Sequence, residues 1–198
     1  MKKIALASNN QGKIKEISRI LEPYEVEILH QADFTSEEAE ETGLTFVENA
    51  ILKARFLADI SGLPVIADDS GLEVDALQGA PGIYSARYAG ENASDRDNLS
   101  KLLDNMQTVE QGKRSARFQC VLVYLRHALD PVPIIAEGSW EGSILSEAEG
   151  DNGFGYDPVF FVTSEQKSAA LLSAADKNRI SHRGLALQIL LKKLHGCF

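Results

Sequence analysis

The chain has 198 residues, of which 44% are hydrophobic and 25% are charged, and its formal net charge is −9. This composition is typical of a globular protein with a sizeable core, and an acidic chain is a poor candidate for nucleic-acid binding. Cys120 and Cys197 form neither a metal-binding spacing nor a disulfide framework, so we expect a reducing compartment. No stretch approaches the length of a membrane span, and a cytoplasmic location is predicted.

The chain is predicted to begin with a strand, a polar loop and a helix. Residues 3–7, apolar after Lys3, are typical of a buried strand, and the apolar stripe within residues 14–21 predicts a helix after a polar loop at residues 8–13. The N-terminus of a helix offers N–H groups and a positive dipole end that suit phosphate, and Lys13 would add a positive charge. The alternative interpretation is a helix cap beside a solvated lysine.

A second strand is predicted at residues 25–29, and an acidic segment follows at residues 30–41. Its clustered glutamates are typical of a solvated surface loop. One of them, Glu40 or its neighbour Glu41, is also a candidate to join Asp69 around a hard cation, which prefers oxygen ligands.

A long helix is predicted to begin with a capping box at Thr45 and Glu48 and to end before Gly62. Asn49 and Lys53 stand four residues apart and therefore share one polar face of this helix. That face is a candidate to meet a ligand, although the pattern alone favours a surface lysine.

The stretch with the clearest chemistry is Asp68-Asp69-Ser70-Gly71. It follows residues 63–67, which predict a buried strand, so the carboxylates are expected where that strand ends, at the sheet edge where α/β proteins bind ligands. Because neighbouring strand residues point to opposite faces, both carboxylates would meet one ligand only if the chain bends, which Gly71 permits. The pattern indicates a metal or water-activating site, or alternatively an ordinary turn.

The middle of the chain predicts a second lobe that shares the sheet. A half-exposed strand is expected at residues 72–77, and a helix is expected to begin at Ser94. Residues 116–126 and 134–139 predict two long strands joined near Asp130 as an antiparallel hairpin, and a short strand follows at residues 159–162.

The glycine-rich loop at residues 150–158 is a second candidate for ligand binding. Its glycines let the backbone approach a ligand closely, and Phe154 and Tyr156 offer faces on which nucleobases stack. The alternative is a tight turn with both aromatic rings packed inward. Further along, His182 and Arg183 are predicted at the start of the last helix, where the helix dipole favours anions.

Six short motifs, in this order, carry a resemblance to a known family. They are Ser8-x-Asn10-x-x-Lys13, Glu40-Glu41-Thr42-Gly43-x-Thr45-Phe46-x-x-Asn49-Ala50, Ala67-Asp68-Asp69-Ser70-Gly71-Leu72, Gly79-Ala80-Pro81-Gly82-x-Tyr84-Ser85-Ala86-Arg87, Gly153-Phe154-Gly155-Tyr156-Asp157-Pro158 and Ser181-His182-Arg183-Gly184. On these motifs the chain resembles, over essentially its whole length, the inosine triphosphate pyrophosphatase family, and within it the bacterial members that act on XTP and dITP.

The resemblance implies an α/β fold in which helices flank an elongated mixed β-sheet, with residues 1–198 forming a single domain of two lobes around a central substrate cleft. It also implies a Mg²⁺-dependent hydrolase that converts XTP, ITP and dITP to the nucleoside monophosphate and pyrophosphate, which removes them from the nucleotide pool. A homodimer is implied as well, with neither nucleic acid nor membrane as a partner.

Residue roles also follow from the resemblance. Asp69 would act as the base toward water and would hold the metal together with Glu40, for which Glu41 is the alternative. The residues implied to bind substrate are Ser8, Asn9, Asn10, Gln11, Gly12, Lys13, Ser70, Phe154, Gly155, Tyr156, Asp157, Lys177, His182 and Arg183. A donor from Arg183, or from a backbone N–H near Phe154, would favour 6-oxopurines, because the amino group of adenine would leave buried donors unpaired.

Two other functions stay open on the sequence. One is a nucleotide hydrolase that removes only the terminal phosphate, which would release orthophosphate instead of pyrophosphate. The other is a nucleotide-binding regulatory module, which would show no hydrolysis under excess Mg²⁺.

Overall fold

A computed structural model of the chain describes residues 2–24 and 26–194. In that part of the chain the helices are α1 (Gln11–Leu21), α2 (Phe46–Ser61), α3 (Asp95–Asn105), α4 (Ala174–Ile180) and α5 (His182–Lys193). The strands are β1 (Lys2–Ala7), β2 (Val26–His30), β3 (Val65–Val74), β4 (Ser115–Leu125), β5 (Ile134–Ile144), β6 (Phe160–Val162) and β7 (Lys167–Ser168).

The seven strands form one mixed sheet in the order β2-β1-β3-β4-β5-β6-β7. Strand β1 pairs in parallel with both β2 and β3, whereas β6 pairs antiparallel with β5 and β7. The predicted α/β class with a mixed sheet is therefore confirmed. Among the described residues, no helix is long and apolar enough to cross a membrane.

The chain divides into two compact units. The first contains the chain up to Asp69, Cys120–Gly138 and the residues from His182 onward, and the second contains Ser70–Gln119 and Ser139–Ser181. Strands β3, β4 and β5 contribute residues to both units.

The first unit has an apolar cluster on each face of its parallel strands. One cluster packs α1 and α5 onto the sheet and includes Ile4, Leu6, Ile17, Ile66 and Leu190. The other packs α2 onto the opposite face and includes Ala5, Ala54, Leu57, Val65 and Ala67. Because helices cover both faces, residues 4–7 of β1 and the start of β3 are continuous apolar runs, as in buried parallel strands.

The core of the second unit is rich in aromatic rings. The Phe118 ring centre lies 4.6 Å from that of Phe160 and 6.2 Å from that of Trp140. A Cβ added at Gly142 would lie 2.6 Å from the Phe160 ring, so only glycine allows this close packing on β5. The ring contacts add to the apolar area that this unit buries.

The largest error in the predicted elements concerns the strand that carries the carboxylates. Residues 63–67 and 72–77 were expected as separate strands, but Val65–Val74 form the single strand β3 and Asp75–Leu77 form a 3-10 turn, so Asp68-Asp69-Ser70-Gly71 is neither a turn nor a strand end. Strand β1 pairs with β3 only as far as Ala67. The other neighbour of β3 in the sheet is β4, and Gln119 of β4 donates to Glu73 near the end of β3 at 3.0 Å. Pairing on that side keeps the chain extended despite its turn-forming residues.

Other boundaries differ by smaller amounts. Helix α1 begins at Gln11, so part of the predicted polar loop forms its first turn. Strand β5 continues to Ile144, and a short 3-10 turn, Asp157–Val159, occupies the start of the strand predicted at residues 159–162. Glu25, the first residue of the predicted second strand, and Cys197 lie outside the described residues.

The connection between β4 and β5 is organised by the buried carboxylate of Asp130. Its Oδ2 accepts hydrogen bonds from the backbone N–H and the Nε of Arg126, at 3.0 and 2.8 Å, and its Oδ1 accepts one from the N–H of Val132 at 3.1 Å. The side-chain hydrogen bond from Arg126 is the largest of the effects that hold the pKa of Asp130 well below its usual range.

We expect Asp130→Ala to lower the free energy of unfolding at pH 7 by about 1–3 kcal/mol, because two backbone donors lose a charged acceptor. The folded pKa of Asp130 is depressed, so its contribution is complete above the unfolded pKa of about 3.9 and declines as the pH falls toward the folded pKa. Urea unfolding at pH 7 and at about pH 3 measures the difference. Asp59→Ala, which removes an exposed carboxylate, is the control, and an equal loss for Asp130→Ala at both pH values would contradict this role.

Candidate active site

The carboxylates of Asp68 and Asp69 lie in β3 of the first unit, immediately beyond the point where its parallel neighbour ends. Ala7, the last residue of β1, pairs with Ala67. Side chains alternate along a strand, so Asp68 shares the face of Ile66, which α1 and α5 cover, and Asp69 shares the face of Ala67, which α2 covers. The two neighbouring carboxylates therefore meet different helices.

Asp68 is the centre of a buried charge network. Its Oδ1 lies 2.5 Å from Nζ of Lys13, and its Oδ2 accepts hydrogen bonds from Nε of Arg183 at 2.8 Å and from Sγ of Cys120 at 3.2 Å. Burial alone would raise the pKa of Asp68, but the charges of Arg183 and Lys13 hold it well below its usual range. Asp68 is thus a permanent negative charge that fixes Lys13.

On the opposite face, Asp69 pairs with Lys53. Nζ of Lys53 lies 2.5 Å from Oδ1 of Asp69 and 3.0 Å from Oε1 of Glu41. Burial would lower the pKa of Lys53, but the two carboxylates outweigh it and raise the pKa. Burial raises the pKa of Asp69 in spite of the opposing charges of Lys53 and Lys13. Asp69 is consequently a stronger base than an exposed aspartate.

Glu41, and not Glu40, shares the ammonium group of Lys53 with Asp69. Glu40 is exposed, whereas Glu41 is half-buried and bonded to Lys53. The segment after Glu41 lies against the start of α2, where the N–H of Gly43 donates to Oδ1 of Asn49 at 2.8 Å. A Cβ added at Gly43 would lie 2.7 Å from that oxygen, so the close approach requires glycine.

The polar segment before α1 was interpreted either as a phosphate-binding helix start or as a helix cap beside a solvated lysine, and it has features of both. Asn10 caps the helix, since its Oδ1 accepts the N–H of Lys13 at 3.0 Å, and the Ser8 hydroxyl accepts the N–H of Asn10 at 3.2 Å. Nδ2 of Asn9 donates to Oε1 of Glu38 at 2.9 Å. The cap is present, but Lys13 is not a solvated lysine, because it is paired with a buried carboxylate.

His182 and Arg183 begin α5, as predicted, and both are buried. A Cβ added at Gly138 of β5 would lie 2.2 Å from the carbonyl oxygen of His182, so this helix start packs directly on the sheet. Arg183 is 1% exposed, and its guanidinium binds the carboxylates of Asp68 and Glu16. The anionic partners of Arg183 in the structure are protein side chains, and its role toward a base stays a prediction.

In the second unit, Phe154 lies beside a buried ion pair. Nζ of Lys177 is 2.5 Å from Oδ2 of Asp157 and 4.9 Å from the centre of the Phe154 ring. The same Asp157 oxygen accepts the N–H of Phe154 at 2.9 Å. A Cβ added at Gly153 would lie 2.0 Å from Oδ2 of Asp157, which explains the glycine before Phe154. A half-buried ring next to a lysine is thus held in a fixed loop.

Tyr156 does not offer a stacking face. Its side chain lies in the apolar cluster of the second unit and is 5% exposed. Its hydroxyl donates to the carbonyl oxygen of Ser85 at 2.8 Å, and burial raises its pKa. For this ring the alternative of inward packing is correct, because the phenol finds an acceptor inside the core. Ser70, another predicted contact, lies half-buried in β3 within the second unit.

Lys53 and Asp68 take part in the first-unit ion pairs, but the resemblance implied no substrate or metal role for them, and the sequence pattern only placed them near a candidate ligand site. For Lys53 the available signal was its position one turn after Asn49 on the polar face of α2. For Asp68 the signal was strand alternation, which placed it on the face opposite to Asp69. Alternation did not indicate which side chain would pair with it. Across residues 2–24 and 26–194, no three His, Cys, Asp or Glu side chains are arranged to hold a metal ion by themselves.

The fold and these residues define a member of a known enzyme family. The Ham1 family model matches residues 4–193, and the chain belongs to the Ham1 family. A dITP/XTP pyrophosphatase of Vibrio cholerae serotype O1 is 59% identical over 194 residues, which cover 98% of this chain and 97% of that protein. The dITP/XTP pyrophosphatase of Escherichia coli K12 is 57% identical over 196 residues, covering 99% and 100%. The resemblance found in the six motifs is thereby confirmed.

Solved structures support the same assignment. A HAM1 protein from Coxiella burnetii superposes with a TM-score of 0.91 at 47% identity, covering 99% of this chain and 100% of that one. The Ham1 protein of Staphylococcus aureus gives a TM-score of 0.87 at 43% identity and covers 100% of both chains. The similarity therefore extends over the complete fold.

Proposed function

We propose that this chain is a nucleoside triphosphate pyrophosphatase that hydrolyses XTP, ITP and dITP to the monophosphate and pyrophosphate, and thereby removes them from the nucleotide pool. The observation that carries the proposal is the buried carboxylate of Asp69, held by Lys53 with Glu41 beside it. The relatives named dITP/XTP pyrophosphatase support the choice of reaction and substrates. We also infer from the family resemblance that the chain acts as a homodimer in the cytoplasm.

The triphosphate is bound at the start of α1. Lys13 supplies a positive charge that is held in position, because its Nζ pairs with Asp68 and its backbone N–H donates to Oδ1 of Asn10. A positive helix end and an ammonium group both favour phosphate. Because phosphoryl transfer depends mainly on positioning and charge stabilisation, Lys13 lowers the barrier by offsetting charge on the departing pyrophosphate.

Asp69 is the base that orients and deprotonates the attacking water. Its pKa is raised by burial, which strengthens its basicity, while Lys53 keeps the side chain oriented. General-base catalysis of this kind contributes about 10²- to 10⁴-fold to a rate.

The residues fit a Mg²⁺ ion bound together with the substrate. Asp69 and Glu41 present carboxylate oxygens to one ammonium group, and Mg²⁺ in phosphate enzymes is held by one or two carboxylates plus substrate oxygens and water. Such a site needs no third protein ligand. We propose Asp69 and Glu41 as the holders, in preference to the exposed Glu40. When bound, the ion supplies charge neutralisation and a more acidic water.

The purine base stacks on Phe154, next to Lys177 and Asp157. The neighbouring lysine and the half-buried ring form a surface that suits a flat, polar heterocycle. The backbone N–H groups of Phe154 and Gly155 donate to the carboxylates of Asp157 and Asp95. These two N–H groups are therefore engaged within the protein, which weakens the idea that they recognise the 6-oxo group.

The proposal is tested by assaying pyrophosphate release from ITP, XTP, dITP, GTP and ATP with Mg²⁺ and with excess EDTA. We expect kcat/KM for the first three to exceed that for ATP by about 10- to 100-fold, because the 6-amino group of adenine would not accept the hydrogen bond that Arg183 is predicted to donate to a 6-oxo group. EDTA should abolish the activity. Equal rates with ATP would contradict the specificity, orthophosphate release would favour a terminal phosphohydrolase, and an absence of hydrolysis would favour a binding module.

A further inference from the structure

Asp95, the first residue of α3, contacts the loop that carries Phe154. Its Oδ2 accepts the N–H of Gly155 at 2.7 Å, although 60 residues separate them. The nearby Asp97 has a different task, because its carboxylate accepts the N–H and the hydroxyl of Ser94 and closes the helix cap. The first turn of α3 therefore carries two carboxylates, of which one caps the helix and the other reaches outside it.

The contact completes the fixation of the loop. Gly155 has a φ of +60°, a left-handed conformation that glycine adopts at an entropic cost when it is ordered. Asp157 binds the N–H of Phe154 from within the loop, and Asp95 binds the next N–H from α3. Two successive peptide groups are thus anchored by two different carboxylates, which defines the direction in which the Phe154 ring projects.

Helix α3 is itself firmly seated in the second unit. The buried side chain of Asn98, one turn after Asp95, donates to the carbonyl oxygen of Ala86 at 3.0 Å and accepts the N–H of Ala89 at 2.7 Å. Tyr156 of the loop donates to Ser85 in the same segment. Asp95 consequently extends from a rigid element, which is the requirement for holding a binding group within a fraction of an ångström.

We propose that Asp95 is a positioning residue for base recognition: it binds the Gly155 N–H and so holds Phe154 beside Lys177 where the purine stacks. This inference rests on the proposed function and adds a positioning residue to its base-binding site. Asp95 acts on the protein backbone and not on the substrate, so its effect falls on binding of the base and not on the chemical step.

The test compares Asp95→Ala, Asp95→Asn and Asp97→Ala. Asp95→Asn retains an acceptor oxygen, and Asp97→Ala weakens the cap of the same helix without touching the loop. Loss of a hydrogen bond to a charged group predicts that Asp95→Ala raises KM for ITP and the inhibition constant of IMP by about 10-fold, with kcat within about twofold of wild type. The inhibition constant of pyrophosphate, which has no base, should stay unchanged, Asp95→Asn should restore most of the loss, and Asp97→Ala should change only the melting temperature.

Several outcomes would overturn the inference. One is an unchanged KM for ITP in Asp95→Ala, and another is an equal increase for IMP and pyrophosphate, which would indicate a general structural effect. An Asp95→Asn variant as impaired as Asp95→Ala would also contradict the hydrogen-bond role. Failure of the proposed function is separate, because it would appear as wild-type protein that does not release pyrophosphate from ITP.

Discussion

Asp69→Asn is expected to lower kcat for ITP hydrolysis by about 10²- to 10⁴-fold, the usual contribution of a general base. Asparagine has nearly the same shape and keeps an oxygen that accepts from Lys53, but it cannot take a proton from water and is a weak ligand for Mg²⁺. Lys53 also retains Glu41 as a partner, so we expect the variant to fold. Steady-state kinetics and thermal unfolding of the same preparation measure both effects.

The matched control is Asp59→Asn, which changes an exposed carboxylate on the same helix as Lys53. It should have wild-type kcat and stability. Near-normal turnover by Asp69→Asn would refute its role as the base. Loss of folding in that variant would instead assign Asp69 a structural role through its ion pair.

Lys13→Met is expected to reduce kcat/KM by about 10²- to 10³-fold, the effect of deleting one donor from a preorganised charge-stabilising site. Methionine preserves much of the side-chain length without the charge. Asp68 would keep the guanidinium of Arg183 and the thiol of Cys120 as partners, so the carboxylate would not become a lone buried charge. The inhibition constant of pyrophosphate should increase strongly as well.

Lys15→Met is the control for this prediction, because Lys15 is an exposed lysine on the same helix, α1. The two substitutions change the net charge equally, so a general electrostatic effect would appear in both. Similar kinetics for the Lys13 and Lys15 variants would contradict a specific phosphate contact.

The elements with strong local patterns were predicted well. Thr45 is the N-cap of α2, and Gly62 ends that helix with a φ of +65°. The error in β3 shows where local patterns fail: Asp68-Asp69-Ser70-Gly71 has turn-forming residues, but pairing within the sheet keeps them extended. Strand propensity depends on neighbouring strands, which a single sequence does not reveal.

The same dependence on neighbouring elements explains why some site residues were predicted and others were missed. Asp69 and Lys13 were proposed as site residues from their residue types and positions together with the family motifs. By contrast, the pairing of Asp68 with Lys13, and of Lys53 with Asp69, depends on which helix covers each face of β3. Tyr156 is a further example, because its burial follows from the packing of the second unit.

The most direct test of the proposed reaction is ³¹P NMR of the products formed from ITP and Mg²⁺ by the wild-type chain. We predict that inosine monophosphate and pyrophosphate accumulate in equal amounts, with no inosine diphosphate at any time. Accumulation of inosine diphosphate with orthophosphate would contradict the assignment.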